Sequence, residues 1–103
     1  MDKAEREMNS RVLSQLRVIG YGWVYRRRIV KCLIDAGLVF RKRITYRSQE
    51  FRTNPHYSGI SIEVRDKAHE ALATNERLRF NYKTADRIIF DLLEAGIVLK
   101  ENS

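Results

Sequence analysis

The sequence predicts an α+β fold, mostly helical, with one β-hairpin and two helix-turn-helix units stacked in a single domain over residues 1–103. Three observations predict it. Apolar residues fall at helical spacing in four segments. Two central segments alternate apolar and polar residues, the signature of half-buried strands. And a twelve-residue pattern occurs twice, at Arg28–Val39 and again at Arg87–Val98.

Residues 3–17 read as a first helix, rich in Ala, Glu, Arg, Leu and Gln, with Met8, Val12, Leu13 and Leu16 on one side. Ile19-Gly20-Tyr21-Gly22 breaks it, because two glycines in three positions mark a turn. A second helix follows over 23–36, where Ile29, Val30, Leu33 and Ala36 share a face and Gly37 supplies the stop. Residues 38–46 read as a strand. The polar stretch 47–59, with Asn54-Pro55 and Ser58-Gly59, reads as a loop. Ile60, Ile62 and Val64 alternate with Ser61, Glu63 and Arg65, which predicts a second strand. Residues 38–65 together predict a hairpin with a long basic tip. Asp66 is the expected N-cap of a third helix over 67–78. A fourth runs over 84–95 to Gly96, and Ile97-Val98-Leu99 reads as a short strand.

The repeat divides the chain into 1–65 and 66–100. Between the two copies only Lys31/Phe90 and Cys32/Asp91 change character. Upstream, Tyr21 and Trp23 align with Phe80 and Tyr82, and packing within the core or between the repeats is the expected role of all four. Asp2-Lys3-Ala4 echoes Asp66-Lys67-Ala68 across a gap. Each unit alone is too short to bury its apolar face.

The charge is unevenly placed. The chain carries +7, with 44% hydrophobic and 32% charged residues. Residues 17–52 hold ten cations against Asp35 and Glu50, a net +8, while residues 1–16 are neutral and 53–103 carry −1. A solvated surface usually mixes signs; a one-signed third is what binding a polyanion requires. The composition excludes disorder, no apolar run spans a bilayer, and the charged start Met1-Asp2-Lys3 is not a signal peptide. A cytoplasmic protein without a membrane partner is expected. Cys32 is the single cysteine, so no internal disulfide forms, and its expected place is the core. No phosphate loop, paired carboxylates, nucleophile triad or metal-ligand spacing occurs, which points away from an enzyme and from any cofactor or metal.

The order of helix, turn, helix, Ala36-Gly37-Leu38-Val39, basic hairpin and helix resembles the winged helix-turn-helix superfamily. Residues 29–72 are similar to the recognition-helix-to-wing part of MarR-type regulators, through Gly37-Leu38-Val39, Arg41, the loop 47–59, Ile60–Val64 and Asp66-Lys67-Ala68. Ile19-Gly20-Tyr21 with Ala36–Val39, and more loosely Asn81–Val98, resemble the gamma domain of FtsK-type DNA translocases. The likeness covers about half the chain, and a full MarR-type domain has more helices ahead of its recognition helix.

The resemblance implies a small transcriptional regulator bound to double-stranded DNA. Helix 23–36 would lie in the major groove and the 38–65 wing on the backbone. Arg27, Lys31 and Asp35 face away from the apolar side, flanked by Arg26 and Arg28, with Tyr25 at the N-terminal end. Tyr25, Arg26, Arg27 and Lys31 are therefore the expected groove contacts, since arginine pairs bidentately with guanine. Arg41, Arg43 and Arg47 share one strand face and are the expected phosphate contacts, while Arg52 and His56, at the tip, would enter a minor groove. Such regulators often form homodimers, with helices 3–17 or 84–95 as candidate faces. The alternative is a protein-binding module, such as a small phage-type inhibitor or antirepressor, using the acidic-leaning half 66–103. RNA binding ranks below both, because the aromatic sheet motif of single-strand modules is missing.

Overall fold

The structure is a computed structural model and describes residues 2–43 and 60–102. Within them the chain is rich in helix, with a small antiparallel sheet: α1 (Lys3–Val18), α2 (Trp23–Asp35), β1 (Leu38–Lys42), α3 (Ile62–Thr74), α4 (Tyr82–Glu94) and β2 (Ile97–Glu101). Side chains satisfy the first free N–H groups of three helices. Asp2 Oδ1 accepts from the Glu5 N–H at 2.8 Å, Ser61 Oγ from Val64 at 3.2 Å, and Asn81 Oδ1 from Thr84 at 2.8 Å. The N-cap of α2 is Gly22, which offers no side chain.

The expected hairpin over 38–65 does not form. Ile60–Val64 is not a strand; Ser61 caps a helix that has begun by Ile62, so the expected cap at Asp66 and the division after residue 65 both fall inside α3. The reason is that Ile60, Val64, Ala68 and Leu72 also recur every four residues. Helix buries Val64, Ala68 and Leu72 on one face, with Ile60 buried just ahead of the cap, and leaves Ile62 exposed where an alternating strand would have buried it. No turn residue separates this run from the helix formers Asp66–Leu72, so the helical period continues unbroken.

β1 instead pairs with β2, in the register Leu38↔Glu101, Phe40↔Leu99, Lys42↔Ile97. That register is the geometric expression of the repeat. Exchanging the two copies maps each pair onto another and leaves Phe40↔Leu99 at the centre, as a pseudo-twofold axis requires. The closing hydrogen bonds obey it too: Arg43 N–H donates to Gly96 O at 2.8 Å and Asn102 N–H to Gly37 O at 2.9 Å. Gly37 (φ +85°) and Gly96 (φ +84°) adopt the left-handed conformation that turns each helix into its strand.

The first helices of the repeats also correspond, in a different alignment from the expected echo of Asp2-Lys3-Ala4. Tyr21 N–H donates to Leu16 O and Phe80 N–H to Leu72 O, so Leu16 matches Leu72 and Arg11 matches Lys67. Accordingly, the Arg11 guanidinium lies against Gly96 and the Lys67 ammonium against Gly37, each crossing to the other repeat. The turn from α3 to α4 is three residues longer than that from α1 to α2. One hydrophobic cluster draws on all six elements, from Val12 and Leu16 through Ile29, Leu33, Leu38 and Phe40 to Leu72, Ile88, Leu92 and Leu99.

Candidate functional site

Helix α2 turns Ile29, Val30 and Leu33 into the core, which commits its opposite side to solvent. At about 100° per residue, Val24, Arg27, Arg28, Lys31 and Asp35 fall on that outer side. Val24 is 57% exposed and Trp23, on its flank, 55%. Arg27 and Lys31 are exposed and stand one turn apart, as the sequence predicts. Tyr25 is also exposed, with the Arg28 guanidinium 5.8 Å from its ring. Arg27 and Arg26 both lie over the Trp23 ring, at 5.7 and 5.1 Å. Among the described residues, none of the ion pairs involves Arg26, Arg27, Arg28 or Lys31.

Not every expected contact residue joins this surface. Arg26 lies three, four and seven residues from Ile29, Val30 and Leu33, so it starts on the buried side of α2. Its Nη1 reaches back to Leu13 O on α1 at 3.5 Å, and its Nε is buried without a partner. Packing and reach, not groove contact, determine its position. Arg43 turns the other way, donating from Nη1 to Leu93 O at 3.1 Å. The last carbonyls of a helix are its negative end, and both Arg43 and Arg11 (to Ala95 O, 3.3 Å) are drawn to those of α4. Arg41 is exposed and folds over its own strand, donating to Phe40 O at 3.2 Å. Arg47, Arg52 and His56 lie outside the described residues. The aromatic positions divide: Tyr21 and Phe80 pack together across the repeats at 5.8 Å, whereas Trp23 and Tyr82 are exposed.

The second repeat contains a polar cluster that sequence reasoning missed. Arg65 and His69 on α3 are 9% and 6% exposed. Asp86 Oδ1 accepts from Arg65 Nε at 3.0 Å, forms an ion pair with its Nη2 at 2.8 Å, and lies 3.0 Å from His69 Nε2. Arg65 Nη2 also donates to the Tyr82 hydroxyl at 3.1 Å, and the His69 and Tyr82 rings meet at 4.2 Å with their planes tilted by 53°. The spacing of Arg65 and His69, four residues apart on the face that also carries Ala68 and Leu72, was the available signal. A buried charge survives only when paired, and Asp86 supplies the pairing.

Burial pushes the Cys32 thiol above its usual pKa, partly offset by the Asn75 amide beside it, and Sγ donates to Ala71 O at 3.2 Å. Burial and this bond hold it as a packed, neutral thiol. Among the described residues no helix is long and apolar enough to cross a membrane. Comparison of the chain with models of protein families, with curated proteins and with solved structures finds no match.

Proposed function

We propose that the protein binds double-stranded DNA as a small transcriptional regulator, with α1 and α2 as a helix-turn-helix and α2 as the groove-reading helix. The observation that carries this reading is the outer face of α2: Arg27, Arg28 and Lys31 project from one side and have no carboxylate partner among the described residues. Three cations against the single carboxylate of Asp35, on a helix preceded by a tight turn, suit the major groove in size and charge. Arg27 and Lys31 are the groove contacts, with Tyr25 at the rim. Arg26 leaves the contact set and serves to hold α2 on α1. Arg41, exposed on β1, is a phosphate contact beside α2.

Fluorescence anisotropy with duplex DNA at several salt concentrations tests this. Affinity falls with salt at a slope of roughly −0.9 per neutralised phosphate. Replacing Arg27 and Lys31 together with Ala weakens binding by about tenfold or more. Affinity indifferent to salt, or unchanged in the double variant, overturns the reading.

One observation favours a second reading. Val18, Trp23, Val24 and Tyr25 expose apolar side chains around the α1–α2 turn, and phosphates gain nothing from these. An acidic protein partner, of the kind a small inhibitor or antirepressor takes, would use both the apolar and the cationic groups. Pull-down from nuclease-treated lysate separates the two: a stoichiometric protein retained after nuclease supports the second reading, and loss of all partners supports the first.

A further inference from the structure

The three residues by which the α3–α4 turn exceeds the α1–α2 turn do more than close the joint, whose Leu78 is buried in the core. They carry Arg77 to the flank of α2. There a cavity of about 360 Å³ is lined by Arg28, Lys31, Cys32 and Asp35 from α2 and by Asn75 and Arg77 from the turn. Three cationic residues from two separate elements line it together with one carboxylate, and the Arg28 guanidinium lies 5.8 Å from the Tyr25 ring. None of the three enters an ion pair among the described residues.

The turn holds its position by its own bonds. Asn75 Oδ1 accepts from the Arg77 N–H at 2.9 Å, Asn75 O accepts from Leu78 and Arg79 at 3.1 and 2.9 Å, and the Leu78 side chain is buried. The backbone beneath Arg77 is thereby fixed while its side chain stays exposed. Cys32, in the wall, is kept as a neutral thiol by burial, so it adds no negative charge.

We propose that this cavity is a phosphate subsite, in which Arg28 and Arg77 hold one phosphate group while Lys31, in its wall, is left for the groove. It rests on the DNA reading for the source of that phosphate: a backbone phosphate at the edge of the groove that α2 enters. The second repeat then contributes to binding through Arg77 alone. Asp35 opposes the anion and tempers the affinity of the site. Phosphate contacts carry no sequence information, so Arg77 adds affinity and register without choosing bases.

The test uses the full chain with a duplex two helical turns long and, separately, inorganic phosphate followed by amide NMR shifts. Arg77→Ala weakens duplex binding several-fold, equally for unrelated sequences, and lowers the salt slope by about one contact. Asp35→Asn strengthens binding. Phosphate shifts the amides of Arg28, Lys31, Asn75 and Arg77 in the wild type and not in Arg77→Ala. Circular dichroism confirms that both variants fold. If the wild type binds duplex with a salt slope but Arg77→Ala matches it and phosphate moves no amide, the subsite is overturned and the DNA reading stands. If phosphate shifts those amides while no duplex binds, the subsite stands as a site for free phosphate and the DNA reading fails. If neither probe binds, both are overturned.

Discussion

The two repeats share a backbone plan and differ in what they do with their polar faces. Helix α2 carries Arg26, Arg27, Arg28 and Lys31 against Asp35, a net +3; α4 carries Lys83 and Arg87 against Asp86, Asp91 and Glu94, a net −1. Arg27 and Asp86 occupy the same place in the two copies. Arg27 points to solvent. Asp86 turns onto α3, where Arg65 and His69 meet it. The second copy has closed its polar face upon itself and the first has left its own open. A duplicated frame thus separates two tasks: one copy ties the molecule together, and the other presents charge.

The largest effect expected from that comparison is at this shared position. Asp86→Ala removes the carboxylate that Arg65 and His69 share in a site that water barely reaches, and costs about 3 kcal/mol. Arg27→Ala, one repeat away, changes stability by less than about 0.5 kcal/mol. Urea unfolding measures both. Equal costs would mean that Arg27 is structural after all, and the division of labour between the repeats would be lost.

The next effect is one that the repeats should share. Gly37→Ala and Gly96→Ala each force a left-handed backbone on a residue with a Cβ. Space is not the obstacle, since a Cβ would lie 3.8 Å from the Lys67 and Arg11 side chains respectively. The cost is the conformation, about 1–2 kcal/mol for each. Similar losses in the two variants sharpen the pseudo-twofold; a loss confined to one would show that the two joints bear unequal strain.

Much of this frame was legible in the sequence, and the failures have identifiable causes. The α+β class, the four helices and the strand after Gly96 follow from periodicity and from the two Ala-Gly stops. The repeat itself was visible in residues 28–39 and 87–98. The pairing of β1 was not, because strand partners are set by contacts far apart in the chain, and the local alternation at Ile60–Val64 offered a nearer false partner. That alternation satisfied two periods at once, and only the burial of Val64, Ala68 and Leu72 on one face decides between them. In the candidate site, the exposure of Arg27 and Lys31 was legible because helical geometry alone sends them outward. Arg26 was misread because three consecutive arginines suggest one surface, whereas successive helical residues point about 100° apart. Arg43 was misread because nothing in the sequence locates the carbonyls at the end of α4 beside it.

The smallest effect compares the repeats at two more matched positions, Cys32 with Asp91 and Tyr21 with Phe80. Burial raises the pKa of Tyr21 above 10.0, with Arg87 pulling it down and Asp91 pushing it up, and burial likewise raises Cys32 above 9.0. Both groups are neutral in the folded and unfolded chain below about pH 7.5, and their contribution to stability is then fully present. As pH rises further the unfolded chain loses its protons first, so the folded state loses stability through the folded pKa values. Tyr21→Phe gives the first repeat the residue that the second already has at that place, and Cys32→Ala removes the thiol. Urea midpoints measured from pH 8 upward should decline less steeply in each variant than in the wild type. An unchanged alkaline slope in both would mean that neither group is held neutral by the core, and that the first repeat is as open to water beneath α2 as on its outer face.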